Sequence, residues 1–337
     1  MEWKGDVSMK FNIFQKYPNK ITPHKSSSGV QRLGSLLLLC FALLYSTCGV
    51  FRSSAHTASV PQSNAHSTGG PLELTNFSNL YSANGILVRR HDFAVLARKD
   101  ANDRVYPASL TKILTLLTAL NTNPRLSDTV TLIPDDFAGL REKGAAVAGF
   151  AEGERVSIED LLYGVMLPSG ADAANALARA VAGSTENFVV MMNQTAAEVG
   201  MTHSHFVTVT GLHDPDHYTT VADLALLLNK ALDNPIFRDV FTAKSYRTSS
   251  TWQHLGGLRL TSRFFEKMKS GEIEGYSILG GKTGYTDEAG LCLATLTERD
   301  GDEYILITTG APGSNQTEQY NILDAYTAYS SLQEPMS

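Results

Sequence analysis

Three short stretches of the chain carry residue types that could transfer an acyl group. The first is Pro107-Ala108-Ser109-Leu110-Thr111-Lys112, which opens the apolar run Ile113 to Leu120. Serine and lysine three residues apart at a helix start share one face, and the free backbone N–H groups of that first turn point outward. A lysine held neutral by its surroundings can take the serine proton, and a helix N-terminus favours negative charge on an attacked carbonyl. Taken singly, the spacing equally fits a helix turn with a solvated lysine. The second stretch runs from Met166 to Ala174, with Ser169 on a turn between two helical runs. The third runs from Leu279 to Gly290, with Lys282 and Thr283 on a strand whose glycines, Gly280, Gly281 and Gly284, let a ligand approach the backbone. Ser169 could be a helix N-cap and Lys282 an exposed strand lysine, so it is the order and setting of the three stretches that carry weight.

The elements around them read as follows. Gly85 to Val88 and Phe93 to Ala97, joined by Arg90-His91-Asp92, form a hairpin pattern. The Ser109 helix follows. From about Leu126 to Asp239 the pattern is mostly helical, with Ser157-Ile158-Glu159-Asp160 as a helix start and helical runs over Ser169 to Ala182 and Thr185 to Val199. Alternation of apolar and polar residues returns over Tyr276 to Gly284, Gly290 to Glu298 and Glu303 to Thr309, and Gln316 to Leu332 suits a closing helix. Two early strands, three late ones and helices between them predict an α+β body. Its five-stranded antiparallel sheet would be formed by both ends, flanked by helices, with a mostly helical subdomain inserted.

A chain of 337 residues with 43% hydrophobic and 18% charged content can bury a sizeable core, so wholesale disorder is excluded. Charge is divided unevenly. Residues 1 to 52 hold seven Lys/Arg and two Asp/Glu, net +5, which leaves −11 for the rest of a chain whose total is −6. An acidic body argues against nucleic acid as a partner. Residues 1–32 form a basic leader, and 33–51 contain no charge, with their most apolar part from Leu36 to Tyr45: an export signal or a membrane anchor, read here as a retained anchor. Either way the basic side stays in the cytoplasm and the body lies outside the membrane. Residues 52–71 are small and polar, a flexible tether, and the folded body spans 72–337. Of three cysteines, Cys40 and Cys48 lie in the apolar segment, and Cys292 in Leu291-Cys292-Leu293-Ala294 reads as buried filler.

Serine-x-x-lysine at a helix start, a serine motif in a helical subdomain and lysine-threonine-glycine on a late strand are the set shared by penicillin-binding proteins and serine β-lactamases. The body, from about Leu80 to Gly310, resembles the low-molecular-mass D-alanyl-D-alanine carboxypeptidases. The likeness includes Tyr106 to Ile113, the turn Gly149 to Glu154 and the run Thr210 to Thr220. The resemblance implies a β-lactamase-like fold, with Ser109 as nucleophile, Lys112 as its base and Ser169 as proton relay to the leaving D-alanine. It further implies that Lys282, Thr283 and Thr286 hold the substrate carboxylate beside Gly284, and that backbone N–H groups of Ser109 and Tyr285 form the oxyanion hole. Peptidoglycan stem peptides are the implied substrate, β-lactams covalent inhibitors, and no metal or cofactor is expected. One position departs from the pattern. The second motif usually ends in asparagine, and here Ala171 stands there, which predicts poorer substrate orientation rather than loss of function. Asn175, one helical turn on, is the nearest amide that could substitute.

Three other readings are open to test. A β-lactamase with the same motifs needs a carboxylate to activate the deacylating water, and His203 to Leu212, about where it would fall, contains no acid. A metallopeptidase could draw on His203, His205, His213 and His217 with Asp214 and Asp216, although a Pro-interrupted loop gives no fixed ligand geometry. A sensor that is acylated once would bind penicillin without releasing D-alanine.

Overall fold

The alternation expected at both ends of the body produces one sheet, and the reason is visible in which residues each face buries. The computed structural model describes residues 77–268, 272–273 and 275–332. The leader, apolar segment and tether expected over 1–71 therefore lie outside the described residues. In chain order the elements are β1 (Asn84–Arg89), β2 (Ala94–Lys99), α1 (Thr111–Asn121), β3 (Thr129–Thr131), β4 (Arg155–Ser157), α2 (Ile158–Met166), α3 (Ala171–Ala182), α4 (Thr185–Val199) and α5 (Val221–Ala231). There follow α6 (Pro235–Thr242), β5 (Ser245–Arg247), β6 (Arg259–Thr261), α7 (Arg263–Lys267), β7 (Glu272–Ile273), β8 (Tyr276–Thr286), β9 (Gly290–Arg299), β10 (Asp302–Ala311) and α8 (Tyr320–Ser330).

The main sheet runs β2-β1-β10-β9-β8-β7, antiparallel throughout. The five expected strands are all in it, and the two-residue β7 adds a sixth at the edge. Its pattern of two residues is too short to register as alternation. Two small ribbons, β3-β4 and β5-β6, also interrupt the stretch expected to be helical or irregular. Both faces of the sheet are covered, which is why its inner strands are nearly continuous in apolar residues. Ile86, Val88, Ala294, Leu296, Ile305 and Ile307 pack with α1 and α5, while Leu87, Leu293, Leu306 and Tyr329 of α8 pack on the opposite side. Full burial of such side chains contributes about 1.5–3 kcal/mol each. The closing helix is pinned to the start of the body, since Asp324 accepts from the backbone N–H of Tyr81 at 2.7 Å and Ser82 at 2.8 Å.

Helix α1 is the axis of the molecule. Every residue from Thr111 to Leu120 is buried, the polar Thr111, Lys112, Thr115 and Thr118 included. The inserted helices α2, α3 and α4 surround it, and α2 starts at a reciprocal cap in which the Ser157 hydroxyl accepts from Asp160 N while the Asp160 carboxylate accepts from Ser157 N. Arg179 of α3 ties this part together through a 2.7 Å ion pair with buried Asp136.

Candidate active site

Helix α1 is entered through a single 3-10 turn, Ala108–Leu110, which carries Ser109 at the rim of a cleft of about 880 Å³. Ala108 has φ +46°, a left-handed conformation that costs about 1–2 kcal/mol for a residue with a Cβ. The turn is held from the loop 204–220. Thr115 donates to Val209 O at 2.7 Å, and Gly211 (φ +77°) packs so closely that a Cβ there would lie 1.9 Å from Ala108 O. Lys112 points back along its own helix face, with Nζ 3.2 Å from Ser109 Oγ and 2.6 Å from Thr210 O. The lysine is 2% exposed. Burial pushes its amine down to about 7, with the Asp172 carboxylate pulling up and Arg263 pushing down further. The neutral base that the spacing requires is thus available near neutral pH.

Ser169 lies on the turn between α2 and α3, with φ +65°, and its hydroxyl accepts from Lys282 Nζ at 2.9 Å. Lys282 also donates to Thr283 O at 2.7 Å and is as buried as Lys112. Its pKa falls well below the usual lysine value, through burial first and then through the cations Lys112, Arg263 and Lys267. Thr283, Gly284, Tyr285 and Thr286 follow it along the cleft wall on β8. Gly284 is where the strand meets the serine turn, since a Cβ there would come within 3.1 Å of both Ala108 Cβ and Ser109 N. One edge of β8 pairs with β9, whereas β7 covers the other only at Tyr276 and Ser277. Among the described residues the edge from Ile278 to Thr286 has no strand partner, and its Thr283 to Thr286 part lines the cleft, a geometry that can accept an extended peptide.

The structure therefore brings together Ser109, Lys112, Ser169 and Lys282 with the cleft-lining run Thr283 to Thr286. It also brings in residues that sequence reasoning passed over. Arg263, at the start of α7, lines the cleft with Lys267 and adds its charge to this end. Asp172, next to Ala171, is fully buried at the first turn of α3 and accepts from Ala148 N at 2.7 Å and Gly149 N at 3.2 Å. It thereby fixes the segment whose Ala145 and Ala146 form the facing wall. Burial raises the Asp172 pKa while the backbone donors oppose that rise. Its adjacency to the second motif was the available signal; Arg263 had none.

A family model for D-alanyl-D-alanine carboxypeptidase matches residues 74–313. The chain belongs to that family. It is 30% identical over 253 residues to the D-alanyl-D-alanine carboxypeptidase DacF of Bacillus subtilis (strain 168), covering 72% of this chain and 62% of the relative. It is 32% identical over 230 residues to the D-alanyl-D-alanine carboxypeptidase of Streptomyces sp. (strain K15), covering 64% of this chain and 77% of that one. The crystal structure of the Streptomyces K15 DD-transpeptidase superposes with a TM-score of 0.65 at 27% identity, over 75% of this chain and 97% of that one. The chain spans about three fifths of the length of the Bacillus relative.

Within this carboxypeptidase fold the remaining sequence expectations resolve as follows. Ala171 lines the cleft at the second motif, and its backbone N–H donates to Ala146 O at 2.8 Å. Asn175 does not replace the missing amide: its Nδ2 donates to Asp136 O at 3.0 Å, so the side chain is spent on the inserted subdomain. Four residues along α3 carry it past the cleft-facing side. Cys292 is fully buried in β9, and burial pushes its thiol up to about 12, as filler rather than nucleophile. The histidine-rich loop is dispersed among separate partners: His205 Nδ1 meets Asp216 O at 2.7 Å, His213 faces Glu288 at 3.6 Å and His217 turns inward to Thr111. Among the described residues no group of three His, Cys, Asp or Glu could hold a metal ion.

Proposed function

We propose that the protein is a serine D-Ala-D-Ala carboxypeptidase that removes the terminal D-alanine from peptidoglycan stem peptides through an acyl-enzyme on Ser109. The observation that carries this is the contact of Lys112 Nζ with Ser109 Oγ, 3.2 Å, in a buried place that lowers the amine to about 7, so that its neutral form is well populated at neutral pH. The substrate lies along the open edge of β8, its terminal carboxylate at the cationic end formed by Lys282 and Arg263 beside Thr283 and Thr286. Ser109 Oγ attacks the carbonyl carbon of the penultimate D-alanine as Lys112 takes the hydroxyl proton. The backbone N–H groups of Ser109 and Tyr285 receive the oxyanion, each such donor contributing about 3 kcal/mol to the transition state.

Collapse of the intermediate breaks the peptide bond. Ser169, hydrogen-bonded to Lys282, passes its proton to the departing amine and receives in exchange the proton that Lys112 took from Ser109, so D-alanine leaves with Lys112 neutral again. Water then attacks the acyl carbonyl, with Lys112 as base, and restores Ser109. A β-lactam enters by the same route, but its leaving group stays tethered to the acyl-enzyme, which makes it a covalent inhibitor. The basic leader and apolar segment read from the sequence over 1–51 support a position for the body on the outer face of the cell membrane, where these stem peptides are. Membrane fractionation followed by alkaline extraction checks that placement: a retained anchor leaves the protein in the membrane pellet.

The activity test pairs two readouts on the purified protein. D-alanine is released from a peptide ending in D-Ala-D-Ala, and labelled penicillin attaches covalently at Ser109. Label without D-alanine release would favour a sensor, and rapid turnover of a chromogenic β-lactam would favour a β-lactamase.

A further inference from the structure

One histidine of the loop 203–217 has a place in the fold that its sequence neighbours lack. His217 is 2% exposed, edge-on to Phe206 with ring centroids 5.3 Å apart. Two backbone N–H groups donate to its Nδ1, Val207 at 3.1 Å and Thr208 at 3.3 Å. Nδ1 therefore carries no proton, and the single proton of the neutral ring is on Nε2. Nε2 lies 2.7 Å from Thr111 Oγ1. That hydroxyl has one hydrogen, which it donates to Ala108 O at 2.8 Å, so what it offers Nε2–H is a lone pair. The direction of every bond in this relay is fixed: backbone N–H to Nδ1, Nε2–H to Thr111, Thr111 O–H to the Ala108 carbonyl.

The relay ends on a strained residue. Ala108, with φ +46°, immediately precedes Ser109, and Thr111 sits between Ser109 and Lys112. A backbone conformation of this kind persists only where its surroundings over-determine it.

We propose that His217 is a positioning residue for the acylation step, holding the Ala108–Lys112 turn through Thr111 so that Ser109 Oγ and Lys112 Nζ stay aligned, and that it does so only as the neutral ring protonated on Nε2. The proposal rests on the reading that Ser109 is the acylated residue. A proton on Nδ1 would face the two N–H groups that now donate to it, so protonation breaks the relay at its first bond. The groups acting on the ring are Asp214, which favours the proton, and His205, Lys112 and His213, which oppose it. Burial outweighs them all and pushes the imidazole down to about 4, which keeps the relay intact through the neutral range.

The test uses the full-length protein and the second-order rate of acylation by labelled penicillin, with the melting temperature measured alongside. His217→Gln places an amide N–H near the Nε2 position and keeps the bond to Thr111; His217→Asn places its amide near Nδ1 and loses that bond; Thr111→Val removes the hydroxyl. The expected result is an acylation rate about 10²-fold lower in His217→Asn and Thr111→Val, and within about threefold of the parent in His217→Gln. Folded His217→Asn that acylates at the parent rate, or His217→Gln as slow as His217→Asn, overturns the proposal. Should the variants not fold, the ¹⁵N spectrum of the parent histidines decides: an Nε2–H neutral ring at pH 6 supports the relay, and an imidazolium or Nδ1–H ring there overturns it. Absence of label on parent Ser109 would instead overturn the acyl-enzyme reading, and the ring spectrum separates that failure from this one.

Discussion

The cleft contains two serine–lysine pairs built alike and set in opposite electrostatic surroundings. In each, a lysine with 2% exposure touches one serine hydroxyl and one backbone carbonyl: Lys112 with Ser109 and Thr210, Lys282 with Ser169 and Thr283. Lys112 has the charge of Asp172 to offset part of its burial and of the push from Arg263, whereas the charges acting on Lys282 among the described residues are the cations Lys112, Arg263 and Lys267. The first pair is therefore balanced near pH 7 with nothing bound. The second meets no such offset, a difference that suits the first pair to the proposed role of base and the second to the proposed role of carboxylate anchor.

The largest expected effect distinguishes them by substrate. Lys112→Gln should slow acylation about 10³-fold for every acyl donor, as loss of a general base does. Lys282→Gln should cost about 3 kcal/mol, roughly 10²-fold, but only for donors that carry a free carboxylate, because what it removes is a charged partner. Comparing a D-Ala-D-Ala peptide with its C-terminal amide measures this, and equal losses on both would erase the distinction. Both substitutions should also raise the melting temperature at pH 7. Each lysine's folded pKa lies below its unfolded value, so between the two values the unfolded chain binds more protons and the charged-state burial costs stability.

A smaller effect concerns pH. The acylation rate should rise with pH along a limb centred near 7, as Lys112 loses its proton. Asp172→Asn removes the charge that favours that proton, so the limb should move to lower pH; a shift upward would mean that Asp172 does not act on Lys112 by its charge. The smallest effect is at the second motif. Ala171→Asn, which supplies the amide near Lys112, should improve kcat/KM on the peptide by a few-fold, about 1 kcal/mol for one added hydrogen bond. No change would indicate that the cleft already orients its substrate without an amide at this place.

The legibility of these features in the sequence follows from how local their causes are. Ser109 with Lys112 is one helical turn, and the strands β8, β9 and β10 are runs of ten residues or more bounded by turn residues, so both were readable. Ser157 as a helix cap was readable for the same reason. Arg263 and the Thr111–His217 contact were not, because each depends on a long-range approach, between α7 and the serine turn or across 106 residues of sequence. The edge strand β7 has two residues and no pattern to see. Asn175 shows the converse error: its spacing from Ala171 was right for one helix turn, but α3 points it at Asp136 rather than the cleft.

The central claim is that Ser109 carries the acyl group. Mass spectrometry of the protein after incubation with penicillin, before and after Ser109→Ala, tests it most directly. One adduct is expected, mapped to the peptide containing Ser109 and absent from the substituted protein, which also releases no D-alanine. An adduct that persists on the substituted protein, or that maps to Ser169, would contradict it.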